Sequence, residues 1–249
     1  MAPTHSPARP LIVAHRGCSH RAPENTLASY RLALKTGAEM AECDVHVSAD
    51  GVVMLLHDDT LDRTTNGSGP MSAKTAAELK TLDAGSWKDP QYAGERIPTL
   101  VEALKLVHGK LRFVIEIKGT GMGQPVVDAI QEAGVKPTEV MVISFYHAAL
   151  VSILAIEPTL PSAWLLDALP PAPADRAQLL QHGLDLGIVG IGLSRKRVDE
   201  DFVRMAHVMG LKVFVYTVND PDEMRRIAAM GVDALISDRP DLAIKTLEP

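Results

Sequence analysis

The strongest constraint in this sequence is an alternation of two element types. Short aliphatic or β-branched runs recur at 11–14, 40–45, 113–117, 140–144, 162–166, 186–191, 212–217 and 234–237. Amphipathic stretches with helical spacing lie between and after them, at 26–35, 100–107, 124–133, 148–156, 174–182, 199–209, 221–230 and 242–247. Strand–helix–strand repetition implies a parallel sheet. Eight such units predict an α/β protein with a (β/α)₈ (TIM) barrel. An open doubly wound sheet is the rival, but the Gly-x-Gly-x-x-Gly turn that marks its dinucleotide-binding form is missing. A chain of 249 residues fits one such barrel, so a single domain over 1–249 is expected.

Local punctuation supports these boundaries. Asn25 is expected to cap the first helix. Asn219-Asp220-Pro221 reads as a cap followed by proline in the first turn. Gly37, Gly134, Gly210 and Gly231 fall where helices should stop. One segment breaks the rhythm between the second and third barrel strands. A turn at Asp50-Gly51 leads into an extra short strand at 52–56, and about forty residues rich in Thr, Gly and Asp follow. This insertion, about 52–98, is expected to sit over one end of the barrel and cap the site.

Composition then excludes several classes. Hydrophobic residues at 46% and charged residues at 22% describe a folded domain rather than a fibrous or disordered chain. With 25 basic and 31 acidic residues, the net charge of −6 argues against nucleic acid as a partner. It leaves room for a phosphate ligand held by a few local cations. Cys18 and Cys43 offer neither a disulfide framework nor a Cys-x-x-Cys motif. The first ten residues carry three prolines and no apolar run, so no secretory leader is expected. No run of eighteen apolar residues predicts a membrane span. A cytoplasmic location is the resulting expectation.

In a barrel of this kind the reactive groups gather at the C-terminal ends of the strands. Strand one ends in Ala14-His15-Arg16-Gly17, strand two in Glu42-Cys43-Asp44-Val45-His46, and the extra strand in Leu56-His57-Asp58-Asp59. Strand three ends in Glu116-Ile117-Lys118. Glu42 and Asp44 are two apart and share one face, about 6.5 Å from each other along the strand. Three carboxylates at one barrel mouth repel unless a cation neutralises them, and all-oxygen ligation suits Mg²⁺ or Ca²⁺. The alternative is ion pairing with Arg16 and Lys118 and no metal. His15 and His57 could each be a structural hydrogen-bonding group. Two imidazoles beside a carboxylate cluster and an arginine instead suit proton transfer at a phosphodiester. Arg16 presents a planar fork that matches two phosphate oxygens.

The ordered set His15-Arg16-Gly17, Ala22-Pro23-Glu24-Asn25-Thr26, Glu42-Cys43-Asp44-Val45, Asp50-Gly51 through His57-Asp58, and Glu116-Ile117-Lys118 closely resembles the glycerophosphodiester phosphodiesterase family. Val215 to Asn219, Gly231-Val232-Asp233 and Ser237 to Asp241 extend the resemblance to residues 11–241. It implies a (β/α)₈ barrel that hydrolyses glycerophosphodiesters, such as glycerophosphocholine or glycerophosphoethanolamine, to glycerol 3-phosphate and an alcohol. It implies His15 and His57 as the acid/base pair, and Glu42, Asp44 and Glu116 as ligands of one Mg²⁺ or Ca²⁺. It also implies Arg16 and Lys118 as phosphate holders and the insertion as a cap. The route it implies is attack of the neighbouring glycerol hydroxyl on phosphorus, through a cyclic phosphate that water then opens.

Other residues remain open. Asn25 could contact the site as well as cap a helix. Glu24 could sit near the metal or pair with a nearby base. His46 shares the parity of Glu42 and Asp44 and could face the mouth as a supporting group, the alternatives being a solvated side chain or a direct metal ligand. The family often has Trp where Tyr216 stands, which bears on the head group rather than the chemistry. Phe145, Trp164 and Tyr216 fall at or just beyond strand ends and are expected to line the substrate pocket, the alternative being ordinary capping of the barrel core. Cys43 has the opposite parity and should face the helix layer. His5, His20, His108, His147, His182 and His207 receive no role. Two further readings stay in view: a phospholipase-type barrel acting on lysophospholipid diesters, and a binding barrel without catalysis.

Overall fold

The structure, a computed structural model, describes residues 9–248. The reading of the extreme N-terminus therefore lies in part outside the described residues, as does His5. Among the described residues nine strands form: β1 (Leu11–Ala14), β2 (Met40–Val47), β3 (Val53–Leu55), β4 (Arg112–Ile117), β5 (Val140–Ser144), β6 (Ser162–Leu166), β7 (Gly190–Ser194), β8 (Lys212–Tyr216) and β9 (Ala234–Ser237). Every strand but β3 pairs in parallel with its neighbours, and β9 returns to β1, so eight strands close into a barrel. β3 runs antiparallel to β2 outside the ring, with Val45 opposite Leu55 and Val47 opposite Val53.

The helices are α1 (Leu27–Thr36), α2 (Ala76–Leu79), α3 (Leu100–Val107), α4 (Gly123–Glu132), α5 (His147–Ile156), α6 (Pro173–Leu186), α7 (Glu200–Val208), α8 (Pro221–Ala229) and α9 (Pro240–Leu247). Eight of them follow barrel strands, and α2 belongs to the insertion. None of the helices among the described residues is long and apolar enough to cross a membrane.

Strand parity builds two cores. Inward side chains such as Val13, Met40, Val114, Ile143, Leu165 and Phe214 fill the barrel. Outward ones such as Ile12, Ala41, Cys43, Phe113 and Ile115 pack beneath the helices. Each fully buried Val, Leu, Ile or Phe stabilises the fold by about 1.5–3 kcal/mol. The insertion has a small core of its own, with Met54, Leu61, Met71, Leu79 and Ile97 buried. Two capping boxes punctuate it, Thr75 with Glu78 and Thr99 with Glu102.

Two local expectations are corrected. The sixth barrel strand, expected at 186–191, runs from Gly190 to Ser194 instead. Leu186 closes α6, and Gly187 takes the left-handed cap at φ 88°, so the aliphatic run straddles a helix end and a strand start. The cap of α1 is Thr26 rather than Asn25: its Oγ1 accepts from the Ser29 amide. Asn25 itself adopts φ 56°, a left-handed conformation that Asn tolerates better than most residues. The cap at Asp220 with Pro221 behind it is as expected.

Candidate active site

The C-terminal ends of β1, β2, β4, β5, β6, β8 and β9 surround a cavity of about 190 Å³. His15, Arg16, Glu42, His57, Glu116, Lys118, Phe145 and Tyr216 line it, with Ile143, Leu165, Thr217 and Ile236. A larger cavity of about 600 Å³ opens among the N-terminal strand ends, where Leu11, Met40, Val140 and Phe214 make apolar walls. Its lining offers one carboxylate, Asp233, and no histidine among the described residues, so the chemistry belongs to the smaller cavity.

The turn after β1 sets His15 and Arg16. Arg16 has φ 53° and Gly17 φ 81°. A Cβ at Gly17 would come within 2.7 Å of the Ser29 backbone, so α1 packs on this turn only because glycine stands there. The Arg16 amide then donates to Glu42 at 2.8 Å, and its side chain donates to Glu24 at 2.8 Å and faces Asp44 at 3.1 Å. Glu24 therefore pairs with bases, as one of its two expected roles had it.

Glu42, Asp44 and Glu116 each bring a carboxylate oxygen within 4.8 Å of the others. Glu42 and Asp44 are almost wholly buried. Glu42 Oε1 and Asp44 Oδ1 have no hydrogen-bond partner among the described residues, and Lys118 Nζ stands 3.4 Å from the latter without closing a bond. Lys118 donates to Glu116 at 2.7 Å. Burial and the neighbouring Asp44 charge push the Glu42 carboxyl up to about 8, and the same two causes raise Glu116. Burial also works against Asp44, but Arg16 and Lys118 outweigh it and hold Asp44 below its ordinary value. Clustered carboxylates with orphaned oxygens fit a hard divalent ion, because a cation would answer both the repulsion and the unmade bonds.

Both histidines are held at Nδ1 by a carboxylate. His15 Nδ1 lies 2.6 Å from Asp238 Oδ1, and Asp238 is fixed in turn by Ser19 and Asn219. His57 Nδ1 lies 2.7 Å from Asp58 Oδ1. Nε2 is thus the ring nitrogen each leaves for the cavity. His46 Nε2 donates to the His57 carbonyl at 3.2 Å, so it braces the chain at His57 and does not itself line the cavity.

Asn25 does not line the cavity. Its amide donates to Asp44 Oδ2 at 2.9 Å, and its carbonyl accepts from the Asp44 amide and from Tyr30 Oη. It holds a carboxylate in place. Phe145 and Tyr216 meet edge to face at 6.0 Å on the cavity wall. Trp164 is a correction: it lies mid-strand between inward Ala163 and Leu165, and its ring packs outward against His147 and His182. Nearness to a strand end does not suffice; parity decides, and Leu165 takes the inward place.

The insertion lines the cavity only through His57. Its Lys88 and Tyr92 donate to the carbonyls of Ser19 and Arg21, so it packs against the loop after β1. Asp238, Asn219, Ser19 and Arg63 are site residues that the sequence reading does not single out as such, although Asn219 and Asp238 lie in the segments that carry the resemblance. Asp238 stands just past the last barrel strand, the position that selected the other site residues.

The sequence profile of the glycerophosphoryl diester phosphodiesterase family matches residues 15–242. The chain belongs to that family. Among relatives, a glycerophosphodiester phosphodiesterase of Bacillus subtilis is 36% identical, over 95% of this chain and 86% of its own. One of Caldanaerobacter subterraneus is 34% identical, over 94% of this chain and 96% of its own. A solved Oleispira antarctica phosphodiesterase, in complex with the product sn-glycerol-3-phosphate, superposes with a TM-score of 0.88 at 34% identity. That alignment covers 97% of this chain and 98% of the other. The Agrobacterium tumefaciens glycerophosphodiester phosphodiesterase gives 0.82 at 32% identity, over 95% and 99%. This member of the family is thus an enzyme, a phosphoric diester hydrolase on a (β/α)₈ barrel. The family match spans every residue that lines the catalytic cavity.

Proposed function

We propose that this phosphodiesterase hydrolyses glycerophosphodiesters such as glycerophosphocholine or glycerophosphoethanolamine to glycerol 3-phosphate and an alcohol. His15 and His57 move the protons, and Glu42, Asp44 and Glu116 hold one Mg²⁺ or Ca²⁺. The observation that carries this reading is the meeting, in one cavity, of a three-carboxylate cluster and two histidines anchored at Nδ1. The family depends on divalent metal in general. The product held by the Oleispira antarctica relative supports glycerol 3-phosphate as the product here.

Arg16 and Lys118 face the same cavity and supply positive charge for the phosphate oxygens. One histidine, neutral at Nε2, takes the proton of the glycerol hydroxyl beside the phosphate ester. The freed oxygen attacks phosphorus and the bond to the head-group oxygen breaks. The other histidine, protonated, delivers its proton to that leaving oxygen. Water then opens the cyclic phosphate with the two roles exchanged. Tethering the attacking hydroxyl to its own phosphate gives it a high effective concentration. A bound divalent ion would offset the charge that gathers on the phosphate oxygens. Ile143, Phe145, Leu165 and Ile236 give the remaining wall an apolar surface.

The test is release of glycerol 3-phosphate from glycerophosphocholine, with EDTA and with either ion restored. Release that stops with EDTA and returns with metal is expected. Release unaffected by thorough chelation would sink the ligand assignment, and faster cleavage of lysophosphatidylcholine would move the substrate class to lysolipids.

A further inference from the structure

Arg63 lies outside the cavity, in the insertion, yet it joins both sides of the site. Its Nε donates to Asp58 Oδ2 at 2.6 Å and its Nη2 to Asp58 Oδ1 at 3.1 Å. Its Nη1 donates to Glu24 Oε2 at 2.9 Å and its Nη2 to Glu24 Oε1 at 2.8 Å. One guanidinium thus makes two bidentate forks, a geometry that lysine cannot reproduce. Past Asp58 stands His57, and past Glu24 stands Arg16. A continuous chain of charge-assisted bonds therefore runs from a proposed proton-transfer group, through Arg63, to a proposed phosphate holder.

We propose that Arg63 is a positioning residue for the reaction: it fixes Asp58 so that His57 is locked with its proton on Nδ1 and Nε2 free, and it fixes Glu24 so that Arg16 is held toward the cavity. The inference rests on the reading of His57 and Arg16 given above. Its logic is that of donors and acceptors. An ionised carboxylate only accepts, so an Asp58 held ionised leaves His57 Nδ1 no role but donor. The hydrogen bond from Arg63 is the largest influence on Asp58 and holds it well below the ordinary carboxylate range. The Asp58 carboxylate could otherwise rotate away, since among the described residues its only other side-chain partner is His57 itself.

Arg63 is 44% exposed, so its ion pairs add little to stability and its loss should leave the fold intact. Its contribution is geometric, and misplacement by an ångström can cost about a hundredfold in rate.

The test compares wild type, Arg63→Gln, Arg63→Lys and Asp58→Asn in two readouts. The first is kcat and KM on glycerophosphocholine. The second is the ¹⁵N-detected tautomer of His57, assigned by difference from His57→Gln. Arg63→Gln is expected to lower kcat about tenfold to a hundredfold. Its neutral His57 should become a mixture of tautomers where wild type shows Nδ1–H alone. Arg63→Lys should recover only part of kcat, because an ammonium is a single point of attachment. Asp58→Asn should reproduce the mixed tautomer with Arg63 still present, and it decides the matter should Arg63→Gln not fold. An unchanged tautomer in both Arg63→Gln and Asp58→Asn would overturn the proposal, as would full activity in Arg63→Lys. Should wild type hydrolyse no glycerophosphodiester, the function reading fails, while the tautomer comparison still decides what Arg63 does to His57.

Discussion

The two histidines share one device and sit in opposite surroundings. Each gives Nδ1 to a carboxylate. His15 is anchored by the barrel: Asp238 follows β9, and Asn219 from beyond β8 holds that carboxylate at 2.5 Å. His57 is anchored by the insertion, through Asp58 and the half-exposed Arg63. Burial disfavours charge on His15, but the hydrogen bond to Asp238 and the nearby Glu42 outweigh it, and the pKa is raised. Burial also disfavours charge on His57, and there Arg16 and Lys118 help it prevail over Asp44 and Asp58, so the pKa is lowered. Identical imidazoles are thus pushed in opposite directions by their neighbours, the arrangement that the proposed donor and acceptor pair would need. Under the proposed function this contrast predicts that His57 takes the first proton and His15 gives one to the leaving alcohol.

The largest effects should come from deleting either ring. His15→Ala and His57→Ala are each expected to lower kcat by about 10² to 10⁴. The pair can be told apart with a glycerophosphodiester whose head group is p-nitrophenol, which leaves without needing a proton. His15→Ala should recover much of its loss on that substrate, and His57→Ala should not. The reverse pattern would exchange the two roles. Next in size is Asp238→Asn, which keeps the shape and removes the charge. It should lower kcat about tenfold or more, as misorientation of a catalytic group does. In metal-free protein it should also lower the His15 pKa seen by NMR, since the Asp238 hydrogen bond is the largest of the influences that raise it. An unmoved His15 titration would mean that Glu42 rather than Asp238 sets it.

Much of this site was legible in the sequence because strands obey a period of two. Glu42, Asp44 and Glu116 converge as their spacing required, with Lys118, Phe145 and Tyr216 beside them, while Cys43 turns to the helix layer. Trp164 stands near a strand end, but its parity points outward, so nearness alone puts it in the wrong place. The sixth barrel strand slipped because Gly187 ends a helix inside what reads as one aliphatic run. The anchors of the histidines were hidden for a different reason. His15 and Asp238 are 223 residues apart, and Arg63 and Glu24 are 39 apart. Such pairings exist only once the barrel closes; strand-end position marks Asp238 and adjacency marks Asp58, but neither shows which partner each takes.

A smaller effect should appear in stability against pH, with a sign that follows from the same contrast. The folded-state pKa of Asp238 is depressed: burial pushes it up, but the bonds from His15, Asn219 and Ser19 prevail. Its contribution is therefore present above the unfolded value near 3.9 and is lost as pH falls through the folded one. His15 is raised, so its contribution is full below about 6.5 and is lost as pH rises through its folded value. The Asp238–His15 pair should stabilise most between those limits. The difference in Tm between wild type and Asp238→Asn should peak from about pH 4 to 6.5 and shrink on either side. A difference that stays flat from well below pH 4 to well above pH 6.5 would show that the pair is not an ion pair in the folded state. The corresponding difference for Arg63→Gln should be smaller, because that network is the more exposed one.

The smallest effect is expected where the wall of the cavity is altered and the proton path is not. Tyr216 Oη donates to the Leu166 carbonyl at 3.2 Å, and its ring meets Phe145 edge to face. Neither contact reaches a histidine or its carboxylate. Burial holds the phenol well above its ordinary pKa, so the hydroxyl stays protonated through the working range. Tyr216→Phe keeps the flat surface and forfeits one neutral hydrogen bond, worth about 1 kcal/mol. It should change kcat/KM by less than about tenfold, with the change in KM, and leave both limbs of the pH–rate profile where they were. If either limb moves, the phenol is coupled to the proton path. The contrast between His15 and His57 would then need a third titrating group to explain it.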